Sequence, residues 1–527
     1  MFSKVLRSLP AKVLASVVFA FPVILAVSQF PGFIAAQMQA DALVLADFTW
    51  DVLHHSYAWS TFLLAHVPSI FPDIVAYGIF QMVLGGYGWA MFAFAFVMFL
   101  GLSYVCGWFA ALISKGNFFS AVFLSEGILA GLFLVDAATS TAFDEGNWDR
   151  ATCLRCFFLF PNSHGGPLLA ALASTCLICM LLERWRHTEA VVLYLLAALA
   201  LLSDRLLWTE FLAPVSAGLA LMSLFIAPIR LRAFLIFGIV AESFLTARFL
   251  ERFITHMPFL EHPPSQFYED MTVRAPKFLS DVAFFFHGHV FSAVCVIIPL
   301  IFFCMYPLSV IRQPKTDNGV NRSGLFIWLY MSLSALASCY VIIAFYGYNN
   351  FSVTSFRYDE LFFFMGVPFI VARGGASASR YLVPGVLIFF ACVHIAASAA
   401  FAPGSVTWRP KYAPCLDALQ ARYGLKAGVA TYWHARPLTI ASHWKLQVQQ
   451  VQGYDASPYY YMTDPLSYMH GLVEPYEPPI YRFIIMDGMD TLGVIRRYGK
   501  PDTIKTCEAA EIWIYNDPKR FYADLLK

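Results

Sequence analysis

Long apolar stretches recur along this chain of 527 residues, and they restrict its fold more than any other feature. A helix needs about 20 apolar residues to cross the hydrocarbon core of a bilayer. About eleven stretches approach that length, and the tenth is the shortest: 13–30, 89–113, 118–139, 167–182, 190–202, 206–226, 233–250, 284–310, 325–346, 361–371 and 383–402. The pattern predicts a mainly α-helical, polytopic transmembrane bundle with about 11 spans.

Composition agrees with a membrane protein and argues against a nucleic-acid-binding one. Charged residues make up 13% of the chain, whereas they make up roughly 25% of a soluble domain. The net charge of +1 offers no basic surface for a nucleic acid. The sequence contains neither GxxxxGK[ST] nor a GxGxxG after a strand, so it has no recognisable cradle for a cytosolic nucleotide.

Basic residues predict how the bundle is oriented, because short cytoplasmic loops carry an excess of lysine and arginine. We interpret the first apolar stretch as an uncleaved helix with its N-terminus in the cytoplasm. Every inner loop is then basic, through Lys115, Arg184, Arg186, Arg230, Arg232, Arg312, Lys315, Arg322, Arg373 and Arg380. The first outer loop, residues 37–73, carries four aspartates and no lysine or arginine. The odd number of spans places the C-terminal residues outside, which is the periplasm for a bacterial inner-membrane protein.

Residues 403–527 differ in composition from the rest of the chain. The runs GVATYWHARPLTIAS, YRFIIMDGM and EIWIYND are typical of short strands, and turn signals separate them. We therefore predict two domains, a transmembrane domain at 1–402 and a small extracytoplasmic α/β domain at 403–527. Cys415 and Cys507 would brace the second domain in an oxidising compartment.

Polar residues of the outer loops form the candidate site. Asp51, His54, His55, His66 and Asp73 lie in the first loop, His164 in the second, Asp204 and Arg205 in the third, and Arg357, Tyr358 and Asp359 in the fifth. Each has an alternative interpretation as solvated loop surface. Asp73 also fits the N-cap of a following helix, and Asp204 with Arg205 fits a local ion pair or a helix cap. Cys153 and Cys156 fit a disulfide or two free thiols.

Four ionisable residues fall inside the apolar stretches, namely Glu126, Asp136, Glu242 and His394. Charged groups are costly in lipid, so we expect all four to face the interior of the bundle or a water-filled cavity. A transporter function would depend on such residues.

Several short motifs together resemble a known family. They are the acid of the first outer loop, PSIFPDIVAY at 68–77, HGG at 164–166 after a proline, SD at 203–204 leading into a helix with a proline, FRYDE at 356–360, and the outer C-terminal domain. In this order they resemble the GT-C class of polytopic membrane glycosyltransferases, and the resemblance spans most of the chain.

The resemblance implies an activity and two acids. In that class a sugar passes from a polyprenyl-phosphate donor to a glycan, lipid or protein acceptor at the outer face of the membrane, and the first outer loop holds the catalytic acid. Asp51 matches that acid, and Asp73 matches the second acid that ends the loop. The class has two adjacent acids, whereas Val52 follows Asp51. The identity of the base and the use of a divalent metal ion therefore stay open.

The chemistry of such a transfer suggests roles for further residues. Arginine forks suit phosphate oxygens, so Arg205 and Arg357 are candidates for the leaving group, with His164 beside them. Asp204 and Tyr358 complete the predicted substrate-binding set. Phe71, Tyr77 and Phe80 would hold the polyprenyl chain, or would form an interfacial aromatic belt.

Two other functions are compatible with the same pattern. A lipid or solute transporter would also have many spans and buried acids, although the sequence shows no inverted repeat. A membrane scaffold would use the C-terminal domain to bind a partner, and the loop acids would then be unimportant.

Overall fold

The structure is a computed structural model. It describes residues 9–55, 58–64, 68–140, 155–254, 271–288, 290–312, 321–345, 360–374, 379–471, 477–508 and 510–525. Six residues named from the sequence lie outside these ranges: His66, Cys153, Lys315, Arg357, Tyr358 and Asp359. The predictions for them stay predictions.

The N-terminal part of the described chain is helical. Its helices are α1 Leu9–Val27, α2 Pro31–Gln37, α3 Val44–His54, α4 Ala58–Thr61, α5 Val75–Leu84, α6 Tyr87–Ser114, α7 Phe118–Thr139, α8 Gly165–Glu183, α9 His187–Ser203, α10 Ala213–Phe225, α11 Arg230–Glu251, α12 Met271–Gly288, α13 Val290–Arg312, α14 Arg322–Phe345, α15 Glu360–Phe364, α16 Val367–Gly374 and α17 Ser379–Ser398. Short π-helical turns at Ile70–Ile74 and Trp208–Leu212 precede α5 and α10.

Seven helices of the described residues are long and apolar enough to cross a membrane: α1, α6, α7, α8, α10 with its preceding turn, α11 and α14. Shorter apolar helices accompany them, including Ile70–Leu84 and α9. A helix covers most of each of the eleven predicted stretches. The chain therefore has the helices of an integral membrane protein, and the number of about 11 spans stays a prediction.

Burial divides the four intramembrane ionisable residues into two pairs. Glu126 and Asp136 are buried as expected, whereas Glu242 and His394 are exposed on the outside of the bundle. The expectation for the second pair was wrong because of helical periodicity. In α11 the buried positions are spaced three or four residues apart, at 233, 236, 240, 243 and 247, which leaves position 242 on the opposite side of the helix.

The C-terminal part, residues 403–525 and hereafter the tail, contains all the strands of the described chain. Its elements are α18 Gly404–Thr407, α19 Ala413–Tyr423, β1 Ala427–Thr431, α20 Tyr432–Ala441, β2 Gln447–Val451, β3 Tyr481–Ile485, α21 Thr491–Tyr498, β4 Thr503–Cys507, β5 Ala510–Ile514 and α22 Lys519–Leu525. The sheet has the order β2-β1-β3-β5-β4. β1 pairs in parallel with β2 and β3, while β5 is antiparallel to β3 and β4. The run GVATYWHARPLTIAS forms a strand only up to Thr431 and then continues as α20.

The tail is packed tightly onto one end of the bundle. The rings of Trp50 and Trp444 stack at 3.9 Å between centroids, and Leu63 N donates to Thr463 O at 3.0 Å. Three tail residues, Ile440, Trp444 and Met462, belong to the same apolar core as the membrane helices. Within the tail, Cys415 and Cys507 form a disulfide with a Cα–Cα distance of 5.6 Å. The tail therefore covers the segment that holds the first predicted acid.

Candidate active site

The end of the bundle under the tail gathers polar groups from separate segments. α1 and α9 finish at this end and α8 starts there, as the hydrogen bonds Gln29 Nε2 to Ala402 O (2.9 Å) and Ser69 N to Ser203 O (2.9 Å) indicate. Basic residues lie at the other end, where Lys12 approaches the Phe119 ring at 5.0 Å and Arg232 donates to Leu182 O at 3.0 Å. The end away from the tail thus carries basic residues, whereas the tail-covered end carries the buried aspartates together with arginines such as Arg205 and Arg436.

Asp51 lies in the last turns of α3 and is only 2% exposed. Its Oδ1 atom is 3.6 Å from His55 Nδ1, beyond hydrogen-bond length, and has no hydrogen-bond partner among the described residues. Burial raises the pKa of Asp51 to about 7, although the neighbouring His55 opposes the shift. Asp47 and Asp464 raise it further by charge repulsion. A carboxyl with this pKa can accept a proton near neutral pH.

Asp51 lines a small polar cavity between α3 and the tail. The cavity measures about 20 Å³ and is lined also by Asp47, Arg436, Gln449 and Thr463. A space of this size holds roughly one water molecule or one hydroxyl group. Asp51 therefore borders a cavity that can hold one hydroxyl group, and residues of the tail line the same cavity.

Asp73 lies in the π-helical turn before α5 and is completely buried. Its Oδ2 accepts a hydrogen bond from Asn162 N at 2.9 Å, and its Oδ1 has no partner among the described residues. A Cβ atom on Gly166 would overlap Oδ1, so the carboxylate lies directly against the first turn of α8. Burial raises the pKa of Asp73 to about 7, with Asn162 lowering it and Asp204 raising it. The predicted N-cap of the helix after Asp73 does not form, because α5 has no side-chain cap.

His164 and Asp204 form a pair beside Asp73. His164 Nδ1 lies 2.7 Å from Asp204 Oδ2, and Asp204 is fully buried. Asp204 Oδ1 accepts from Leu206 N at 2.8 Å, so its carboxylate cannot rotate freely. A carboxylate at Nδ1 orients an imidazole and leaves Nε2 as the nitrogen that would exchange a proton with a substrate. The predicted helix cap by Asp204 does not form, because the helical turn at Trp208–Leu212 has no side-chain cap, and Arg205 pairs with Glu251 rather than with Asp204.

Arg205 points away from this pair. Its Nε donates to Glu251 Oε1 of α11 at 2.6 Å, and Arg248 contacts the same carboxylate. The structure brings Asp73, His164 and Asp204 together and leaves Arg205 outside their group. Arg357 and Tyr358 are outside the described residues.

Hydrogen bonds and one cation–π contact connect the surroundings of the two buried acids. Asn162, which binds Asp73, also donates through Nδ2 to Asp41 O at 3.1 Å. Asp41 Oδ1 accepts from Tyr432 OH at 2.5 Å. The Arg436 guanidinium lies 5.3 Å above the ring of Tyr432 and donates to Asp47 Oδ2 at 3.0 Å, beside the Asp51 cavity. Asp51 and Asp73 therefore belong to one polar layer between bundle and tail.

Sequence reasoning missed Arg436, Asp464 and Asn162. Arg436 fell within a run interpreted as a strand, and in the structure it lies on α20 with the guanidinium buried. One signal was present, since an arginine between apolar residues in an otherwise acidic layer needs a carboxylate partner. Asp464 and Asn162 carried no distinguishing pattern.

The described residues contain no group of three or more His, Cys, Asp or Glu side chains that could hold a metal ion. Comparison with protein-family models, with curated proteins and with solved structures finds no match to this chain.

Proposed function

We propose that this chain is a membrane glycosyltransferase, which moves a sugar from a polyprenyl-phosphate donor to an acceptor hydroxyl at the tail-covered end of the bundle. The observation that carries the proposal is the pair of buried carboxylates, Asp51 and Asp73. Both have a pKa of about 7 and an oxygen without a hydrogen-bond partner among the described residues. Strongly perturbed carboxylates in one enclosed layer are typical of acid–base catalysis.

Asp51 is the base in this proposal. The acceptor hydroxyl enters the cavity beside it and transfers its proton to the carboxylate as the oxygen bonds to the anomeric carbon of the sugar. The bond from that carbon to the phosphate oxygen breaks, and the polyprenyl phosphate leaves with the electron pair. His164, oriented by Asp204, is the described group proposed to donate a proton or a hydrogen bond to the departing phosphate. Arg357 remains the predicted cation for that phosphate.

The tail-covered end faces the outside of the membrane in this proposal, and the N-terminus is cytoplasmic. Support comes from the basic residues at the opposite end, such as Lys12 and Arg232, which suit a cytoplasmic face. The disulfide between Cys415 and Cys507 suits an oxidising compartment such as the periplasm. A donor already present in the outer leaflet then explains why the sequence has no nucleotide-binding motif.

Helix α5 provides an apolar surface next to Asp73 for the polyprenyl chain. Its exposed side chains are Val75, Ile79, Met82, Val83 and Leu84. Tyr77, predicted to contact the lipid together with Phe71 and Phe80, is completely buried instead. The lipid-contacting face is thus the aliphatic one, because the aromatic side of the helix packs into the core.

A transporter is supported less well. It would depend on ionisable residues inside the bundle, and Glu242 and His394 lie on its outside. The other two are engaged within the protein, since Ser16 donates to Glu126 and Asp136 accepts from Arg155 Nη1 at 3.2 Å.

The proposal is tested with the full chain in lipid nanodiscs and a panel of radiolabelled polyprenyl-phosphate sugars. Asp51→Asn should insert and fold normally but lose transfer by about 100-fold or more, as expected for loss of a general base. Glu477→Gln, which changes an exposed acid of the tail, is the control and should transfer normally. Wild-type rates from Asp51→Asn, or donor flipping without any transfer, would refute the proposal.

A further inference from the structure

A second and larger cleft lies on the other side of α20 from the Asp51 cavity. It measures about 390 Å³, within the range of roughly 300–1,000 Å³ found for small-molecule sites. One wall is α2 of the bundle, a second is the segment 408–412 that leads into the tail, and the third is the sheet of the tail. The proposed transfer chemistry does not use this cleft.

The topology of the sheet places the cleft where open α/β sheets bind ligands. The chain leaves β1 toward β2 on one side, and it leaves β3 toward β4 on the other side. Connections that depart in opposite directions from neighbouring parallel strands open a crevice at the carboxyl ends of those strands. Thr431 ends β1, Asp487 and Gly488 follow β3, and all three line the cleft.

The cleft combines aromatic faces with groups that recognise hydroxyls. Trp408 and Trp433 line it, and Trp433 is 39% exposed. His434 Nε2 lies 3.5 Å from Asp487 Oδ2, and burial lowers the pKa of His434 so that the neutral ring is favoured. His434 Nδ1 is also hydrogen-bonded to Tyr412 OH at 3.0 Å, so the ring is fixed beside Asp487. The Asp487 carboxylate can accept hydrogen bonds from hydroxyl groups, and the apolar C–H face of a sugar ring packs well on an indole.

The charges of the cleft fit a sugar better than a phosphate. Arg409 at the rim is already paired with Asp417 at 2.8 Å. Lys411 is exposed at the same rim, while Asp487 at the strand ends would repel an anion. An anionic lipid headgroup would therefore lie against the Asp487 carboxylate, where its binding requires a positive charge.

We infer that this cleft binds a saccharide, the glycan part of the acceptor, between Trp433 and the His434–Asp487 pair. The acceptor role rests on the proposed glycosyl transfer, whereas saccharide binding itself can be measured without it. Because α20 separates the cleft from the Asp51 cavity, an acceptor held here would extend around the start of that helix to reach the base.

Binding is measured with the full chain in fluorescent nanodiscs on an array of immobilised bacterial oligosaccharides. We expect wild-type protein to bind at least one saccharide class and Trp433→Ala or Asp487→Asn to weaken that binding about tenfold, since each removes one stacking or hydrogen-bonding group. Tyr454→Ala, an exposed aromatic of the tail outside the cleft, is the matched control and should bind as wild type.

Two outcomes would overturn the inference: absence of binding to every saccharide, and binding that the two cleft variants leave unchanged. Vesicles of phosphatidylglycerol form a second arm. If Trp433→Ala weakens association with these vesicles instead, the ring belongs to an interfacial belt and the inference is wrong. Asp51→Asn separates the two proposals, because it should keep saccharide binding and lose transfer.

Discussion

Removing the buried guanidinium of Arg436 should weaken the docking of the tail on the bundle. Arg436 is 4% exposed, and it donates to Asp47 Oδ2 at 3.0 Å, to Ala40 O at 2.9 Å and to Met462 O. Two of these acceptors, Asp47 Oδ2 and Ala40 O, belong to the bundle. Arg436→Ala would leave a carboxylate and two carbonyl oxygens without their donor inside the polar layer.

The expected cost follows from these contacts. Hydrogen bonds to charged groups contribute about 1.5–3 kcal/mol each, and removing one member of a buried ion pair costs about 3–5 kcal/mol. Asp47 retains 16% exposure of its side chain, so water entering the gap would offset part of the three lost bonds. We therefore expect the free energy of tail docking to fall by about 3–5 kcal/mol.

Thermal unfolding in detergent, followed by tryptophan fluorescence, measures this change. The stacked rings of Trp50 and Trp444 lie at the interface, so their emission should report undocking directly. Arg409→Ala is the control, because it breaks an exposed ion pair with Asp417 whose contribution is about 0–1 kcal/mol. If Arg436→Ala unfolds no earlier than Arg409→Ala, the argument for a guanidinium-held tail is wrong.

Four further predictions concern the site and the tail. Activity should rise as the pH increases through about 7, the pKa of Asp51, because the base must be ionised; a pH–rate profile that is flat from about pH 6 to 8 contradicts this. Since folding raises that pKa from 3.8 to about 7, stability declines as the pH rises between these two values. Asp51→Asn should make this decline smaller in melting curves, and Asp73, whose pKa burial also raises to about 7, should account for the remainder. Gly166→Ala should reduce transfer strongly because its methyl group would overlap the second buried carboxylate, whereas Gly127→Ala, with open space around it, should be neutral in the same assay. Reducing the Cys415–Cys507 disulfide, which closes a separation of 92 residues, should destabilise the tail by up to about 4 kcal/mol, measurable as a lower melting temperature with dithiothreitol than without it.

The candidate site was only partly accessible from the sequence. Acids and histidines are rare in so apolar a chain, and their positions are visible in the sequence. This is why the sequence singled out Asp51, Asp73, His164 and Asp204. The sequence did not show which of these residues lie close together in space. The sequence suggested Arg205 as a partner of Asp204, but in the structure Arg205 donates to Glu251 of α11, which is remote in sequence.

The sequence by itself determined the class of protein and the approximate ends of several long apolar helices. Apolar length decides whether a segment can lie in lipid, and this property is local, so α1, α6, α7 and α14 were predicted within a few residues. The acidic character of residues 37–73 was equally local. Strands β3 and β5 also followed from short apolar runs between turn residues.

Tertiary structure decided which residues are buried and which of them meet. Glu242 and Cys392 both lie in apolar stretches, but packing against neighbouring helices buries the cysteine and leaves the glutamate outside. The raised pKa values of Asp51 and Asp73 come from burial under the tail and against α8, contacts between residues far apart in the chain. Burial and charge interaction depend on distances in space, and distances between remote segments are set only when the whole chain has folded.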